Sequence, residues 1–337
     1  MTQTRTPWTH ADIPPLQGRT ALITGTGGLG FETALALAQA GANVVIAGRS
    51  PIKGAAAVAE IERRVPQASV SFELMNLASL GSVERCADRL KQSLDSVDLL
   101  INNAAVMTPP DRCTTADGFE LQFGTNHLGH FALTAHLLPL LTNSGQARVV
   151  SLSSVAAREA SIHFDDLQFQ RSYQPMAAYG QSKLACLMFA LEMQRLSEEL
   201  GWGIRSVAAH PGISRTELLI NGAGRWSLAG MVRRFAWFLF QPAAQGALPT
   251  LYAATAPEAR GGGYYGPDRL SETRGHPAPA RTPQAALDAA ARRRLWAESE
   301  WITGACFPSA KVQPTGTARS WLATAVADSQ TIPASLQ

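Results

Sequence analysis

The sequence predicts an α/β fold in a single domain: a doubly wound parallel sheet with helices on both faces. Three observations predict it. Short, almost continuously apolar runs alternate with longer helical patterns as far as about residue 210, as expected of strands buried on both faces. No shift in composition interrupts that rhythm. A glycine-rich turn joins the first strand to the first helix.

The elements follow in order. TALIT (20–24) is the first strand and LGFETALALAQA (29–40) the first helix. NVVIA (43–47) is the second strand. Ser50-Pro51 then reads as an N-cap followed by proline at the first helical position, opening a helix to about Arg64. Strands at 70–75 and 97–102 flank a helix at 79–94. A proline-rich loop leads to a long helix at 119–141, then a strand at 148–152, a strong helix at 177–200 and a strand at 204–209. Residues 211–246 are irregular and apolar, a last strand lies near 263–265, and a helix at 283–303 completes the domain, 1–307. Residues 308–337 lose periodicity and are expected to be a mobile tail.

Composition excludes several classes. Hydrophobic residues make up 46% and charged residues 16% of the 337, enough for a core and too little charge for a disordered chain. The net charge of +3 is scattered, with no basic arm for nucleic acid. Cys86, Cys113, Cys186 and Cys306 are far apart, against a disulfide framework or a thiolate zinc site. The polar N-terminus lacks the apolar core of a signal peptide, and no run is long enough to span a bilayer. The expected location is the cytoplasm.

Gly25-Thr-Gly27-Gly28-Leu29-Gly30 follows the first strand and opens the first helix. In that setting glycines let the backbone turn tightly and approach a pyrophosphate, which sits on the N–H groups of the helix start. At the end of the second strand, where an acidic residue would bind a ribose 2′-OH, stands Arg49. A guanidinium suits a 2′-phosphate, so NADP(H) is the expected cofactor. Tyr179 and Lys183 lie four apart at the start of a helix and share one face. An ammonium beside a phenol favours phenolate and brings its pKa toward neutrality, as acid–base work requires.

With these residues the chain resembles the short-chain dehydrogenase/reductase superfamily over residues 13 to about 307, and within it the retinol-dehydrogenase-like branch. The segments that carry the likeness are ITGTGGLGFETALALA (23–38), INNAA (101–105), TNHLGHF (125–131), VVSLSS (149–154), AYGQSKLA (178–185) and HPGISRTEL (210–218). The resemblance implies a Rossmann-type dinucleotide-binding sheet. It makes Tyr179 the general acid/base and Lys183 the residue that lowers its pKa and holds the nicotinamide ribose. Ser154 matches the serine that hydrogen-bonds the substrate oxygen, with Ser153 as the fallback. Asn126 matches the helix asparagine that holds a water near the lysine. Cofactor contacts are implied for the glycine loop with Leu29, for Asn76 and Leu77 after the third strand, for Asn103 and Ala104, and for Pro211, Gly212 and Thr216 beside the nicotinamide.

Three departures from the family pattern stand out. The loop from Thr24 to Gly30 is one residue shorter than usual, which recreates the ordinary dinucleotide spacing. Ala105 replaces a glycine. Asn76 replaces the acidic residue that meets the adenine amine, and its amide oxygen can still accept that bond.

Other groups have plainer readings. His127 and His130, three apart, lack a carboxylate or thiolate at ligand spacing, so no metal is expected. Asp165-Asp166 reads as a solvated turn, and Arg292–Arg294 as a solvated helix face. The expected activity is NADP(H)-dependent interconversion of a carbonyl and an alcohol. The alternatives are C=C reduction on the same scaffold and a non-catalytic dinucleotide-binding redox sensor. Residues 213–246, with Leu218, Leu219, Ile220, Trp226, Leu228, Met231, Phe235, Trp237, Phe238, Leu239 and Phe240, form the natural lid. If they line the pocket, the substrate is a bulky hydrophobic carbonyl or alcohol; they could equally close the core or form a subunit contact. The resemblance also allows a homodimer or homotetramer paired through helices 119–141 and 177–200.

Overall fold

The computed structural model describes residues 7–213 and 241–308. Seven strands run parallel: β1 (Thr20–Thr24), β2 (Asn43–Gly48), β3 (Val70–Leu74), β4 (Leu99–Asn102), β5 (Arg148–Leu152), β6 (Arg205–Ala209) and β7 (Tyr264–Arg269). An eighth, β8 (Arg274–Pro279), pairs antiparallel with β7, and the sheet order is β3-β2-β1-β4-β5-β6-β7-β8. The order reverses between β1 and β4, which sets a crevice beyond the carboxyl ends of those strands.

The pleat divides the core in two. Ala21 and Ile23 of β1, with Val44 and Ile46 of β2, face α1 (Leu29–Gln39) and α2 (Pro51–Arg64). Leu22 and Val45 face the opposite side, beneath α3 (Leu80–Ser93). This period of two is the expected consequence of strands covered on both sides. Ser50 caps α2 as its sequence indicates, accepting from Lys53 N at 3.3 Å.

Five features depart from the sequence reading. The helix expected at 119–141 is divided into α4 (Leu121–Phe123), a π turn (Gly124–Leu128), α5 (Gly129–His136) and α6 (Leu138–Asn143), with Pro139 in the first turn of α6. Helical periodicity hides such a division, because the added π residue shifts the register without removing the apolar side chains. Helix 177–200 starts slightly earlier, as α7 (Pro175–Leu200). The stretch expected to be irregular up to 246 gives way to an unforeseen helix, α8 (Ala243–Thr255), which is buried along most of its length and carries Pro249 inside. With so few solvent-facing positions it has no polar stripe to announce it. Strand β8 was also unforeseen, since Pro277 and Pro279 argue against a strand. It lies at the sheet edge, where proline is tolerated.

The terminal helix is split at Asp288 into α9 (Gln284–Leu287) and α10 (Ala289–Thr303), the Asp288 carboxylate accepting from Ala290 N at 2.9 Å and Ala291 N at 3.1 Å. Helix α10 packs into the groove between α5 and α7. Trp296 stacks on Phe189 at 5.5 Å, His127 Nε2 meets Ser299 Oγ at 2.8 Å, and Arg292 reaches Glu192 at 3.4 Å. The helices that the resemblance offers for subunit pairing thus carry α10 of the same chain. Most of the expected lid, and all of the tail beyond residue 308, lie outside the described residues. Among the described residues no helix is long and apolar enough to cross a membrane.

Candidate active site

The site is built at the β1/β4 reversal. Thr24 Oγ1 ends β1 and accepts from Asn103 N and Ala104 N, both at 2.9 Å, while Asn103 Nδ2 donates to Thr24 O at 2.7 Å. His130 Nδ1 lies 2.9 Å from Asn126 O, so that nitrogen carries the proton and Nε2 accepts from the Thr24 hydroxyl at 2.8 Å. The strand ends and α5 are thereby locked together.

Gly25 and Gly30 are required by close approach. A Cβ on Gly30 would lie 2.5 Å from Gly25 O, and one on Gly25 would lie 2.9 Å from Asn103 Nδ2. Gly28 opens α1 with φ +54°, ahead of Leu29 at the first helical position. Above Gly27 the space is open: a Cβ there would meet nothing within 4 Å. The shortened loop therefore still presents a bare backbone and a helix N-terminus, which fits a pyrophosphate.

Arg49 is exposed at the end of β2 and makes no hydrogen bond or ion pair with other described residues. Asn76 turns its side-chain oxygen inward to accept from Ala78 N at 3.1 Å. The oxygen expected to meet the adenine amine thus has one lone pair engaged and a second left. Leu77 is buried beneath the π turn, where Gly129 permits its carbonyl to approach.

Asn126 sits within that π turn, almost fully buried. Its side chain bridges Val106 (Oδ1 from N, 2.8 Å; Nδ2 to O, 2.9 Å) and donates to Ser182 Oγ at 2.9 Å. Its carbonyl also receives Cys186 Sγ at 3.1 Å. His127 and His130 are each occupied by the hydroxyl partners already named, which accounts for both rings without a metal.

The two serines at the end of β5 point apart. Ser153 Oγ donates to Lys183 O at 2.8 Å and its hydroxyl faces the Tyr264 phenol. Ser154 caps the short 3₁₀ turn Val155–Ala157, its Oγ accepting from Ala156 N at 3.2 Å, and its hydroxyl faces the Tyr179 phenol. Tyr179 and Lys183 lie one turn apart on buried α7. The Lys183 ammonium lies 6.0 Å from the Tyr179 ring centroid and donates to Leu152 O at 3.0 Å. Burial pushes the Tyr179 phenol up to about 12, with the Ser154 bond acting in the opposite sense. This is the reverse of what the pairing alone predicts. Both groups are removed from water and the ammonium is held by a carbonyl, so desolvation is the largest influence on each. Burial also depresses the Lys183 ammonium.

Pro211 and Gly212 follow β6 at the same end of the sheet. Gly212 has φ +63°, and a Cβ there would lie 2.3 Å from Thr273 O. Thr216 lies outside the described residues. Sequence reasoning missed the group behind this segment. Glu272 accepts from Arg158 Nη2 at 2.6 Å, from His210 Nε2 at 3.0 Å and from Arg281 N at 2.9 Å. Burial opposes its ionisation, but the bonds from His210, Arg281 N and Arg158 outweigh that and hold the carboxyl at about 2. Leu270, Ser271 and Glu272 have φ of +48°, +54° and +64°. Left-handed backbone costs about 1–2 kcal/mol per non-glycine residue, so the packing around this turn must over-determine it.

The arrangement places a tyrosine, a serine, a lysine and an asparagine beside the glycine loop. The comparisons with known proteins give the family. A family described as short chain dehydrogenase matches residues 19–223. Human retinol dehydrogenase 13 is 40% identical over 310 residues, 90% of this chain and 89% of that protein. Mouse polyprenol dehydrogenase is 40% identical over 299 residues, 87% and 86% of the two chains. Among solved structures, an uncharacterized protein from Mycobacterium paratuberculosis is 40% identical with a TM-score of 0.75, covering 90% of this chain and all of that one. A short chain dehydrogenase from Shigella flexneri 2a complexed with NADP shares the fold, at 22% identity and a TM-score of 0.58 over 75% of this chain and 98% of its own. The chain therefore belongs to the short-chain dehydrogenase family, in its retinol-dehydrogenase-like branch, a family of oxidoreductases that use a nicotinamide dinucleotide.

Proposed function

We propose that this protein interconverts a carbonyl and an alcohol on a bulky hydrophobic molecule, with NADP(H) as cofactor. The observation that carries the reading is the grouping of the Ser154 hydroxyl, the Tyr179 phenol and, one turn on, the Lys183 ammonium, with the glycine loop alongside. A bound nicotinamide supplies or takes up the hydride. Ser154 orients the substrate oxygen. In reduction Tyr179 gives its proton to that oxygen as it becomes an alkoxide; in oxidation the proton returns. Burial favours the protonated phenol, and a phenol is a stronger acid than the alcohol that protonation of an alkoxide gives, so the proton transfer to the substrate oxygen runs downhill. Lys183 holds the ribose, and Asn126 fixes the π turn beside it.

Exposed Arg49, with no partner among the described residues, supports the choice of NADP(H). The apolar side chains of 213–246 support a hydrophobic substrate, as do retinol and polyprenol, after which the two relatives are named. NADPH should bind more tightly than NADH, and Arg49→Ala should erase most of the difference, about ten- to a hundred-fold for a charge-assisted contact. Catalytic efficiency should climb from propanal to decanal, each buried methylene adding about 0.8 kcal/mol. Equal affinities for the two cofactors, or a flat aldehyde series, would refute the respective half of the proposal.

A further inference from the structure

One group outside the reacting residues connects both flanks of the site. Arg158 leaves the short turn that Ser154 caps, and His210 immediately precedes Pro211-Gly212. Both converge on Glu272 Oε2, at 2.6 Å and 3.0 Å. Arg158 Nη1 also donates to Ser271 O at 2.9 Å. His210 is fully buried and uses both ring nitrogens. Its Nδ1 accepts from Gly212 N at 3.2 Å, so Nε2 bears the hydrogen donated to Glu272. The carboxylate therefore selects the tautomer and ring orientation that hold the Gly212 amide. The same left-handed turn supplies Thr273 O to Ile213 N at 2.8 Å.

We propose that Glu272 is a positioning residue of the active site: through Arg158 it sets the Ser154 segment, and through His210 it sets the Gly212 segment. The spacing between the proton-handling side and the nicotinamide-facing side then depends on one carboxylate. This rests on the reading of Ser154 and Gly212 as lining a hydride-transfer site.

The test compares wild type with Glu272→Gln, Glu272→Ala and Glu272→Asp. Binding is measured for NADPH and for adenosine 2′,5′-bisphosphate, which lacks the nicotinamide half; NADH and ADP-ribose serve as the second pair. Glu272→Gln and Glu272→Ala should bind the adenine fragment within about twofold of wild type. They should bind the whole dinucleotide about tenfold more weakly. Their kcat/KM should fall further, the dinucleotide KM rising as well as kcat dropping, and Glu272→Asp should recover part of both. A purely structural anchor would instead lower the active fraction, reducing kcat with KM unchanged. That outcome, parallel weakening of fragment and dinucleotide, or no change in either, would overturn the proposal. Should the alanine variant not fold, the glutamine variant carries the test. A wild type that turns over no carbonyl would instead defeat the functional reading, while the fragment-against-dinucleotide comparison would still decide this one.

Discussion

Ser153 and Ser154 show how much one residue of register decides. They are neighbours at the end of β5, yet the first is turned to Lys183 O and Tyr264 and the second to Tyr179. Ser154→Ala should lower kcat about a hundredfold by removing a hydrogen bond to the developing alkoxide, while Ser153→Ala should cost less than tenfold. Steady-state kinetics showing the larger loss at Ser153 would reverse the assignment. Tyr179, Lys183 and the glycine loop were legible in the sequence because their chemistry depends on local spacing: four residues on one helix face, or a turn between a strand and a helix. Glu272 was not legible. Its partners lie 114 and 62 residues away in the chain, and only the folded sheet brings them together.

The segment from Glu120 to Asn143 is where helix periodicity misled. Buried Glu120 caps α4, accepting from Gln122 N at 2.9 Å and Phe123 N at 2.7 Å, and the π turn then places Asn126 against Val106 and Ser182. A continuous helix would have kept the same apolar residues, so the sequence pattern could not distinguish the two. The same element carries a pH response. Burial lowers His127 to about 3 and His130 to about 4, and lowers His210 as well. These rings are neutral when folded and titrate near 6.5 when unfolded. The unfolded chain therefore binds more protons as pH falls below 6.5. Their contribution to stability is complete above that value and is lost progressively toward pH 4 and below. His127 and His130 should each contribute on the order of 1 kcal/mol per pH unit in that window. Urea unfolding midpoints measured at pH 7, 6 and 5 should fall steadily; a level profile would count against burial of neutral histidines.

Over the whole molecule, the alternation of strands and helices and the parallel sheet were legible, because strands buried on both faces need no polar positions. The edge strand β8 and the buried helix α8 were not, since prolines obscured the first and uniform burial the second. Helix α10 also bears on the expected assembly, through the face it covers. Because Trp296, Ser299 and Arg292 already occupy the groove between α5 and α7, the chain should sediment at its monomer mass of 35.9 kDa. A dimer whose cross-links map to α5 and α7 would contradict that. The central claim, hydride transfer with Tyr179 supplying the proton, is tested most directly by following deuterium from NADPH labelled at the nicotinamide C4. With a long-chain aldehyde, the wild type should place one deuterium on the carbinol carbon of the alcohol, and Tyr179→Phe should bind NADPH normally yet form almost no labelled product. Label on a saturated carbon beside an intact carbonyl, or Tyr179→Phe retaining more than about a tenth of the wild-type rate, would contradict the account.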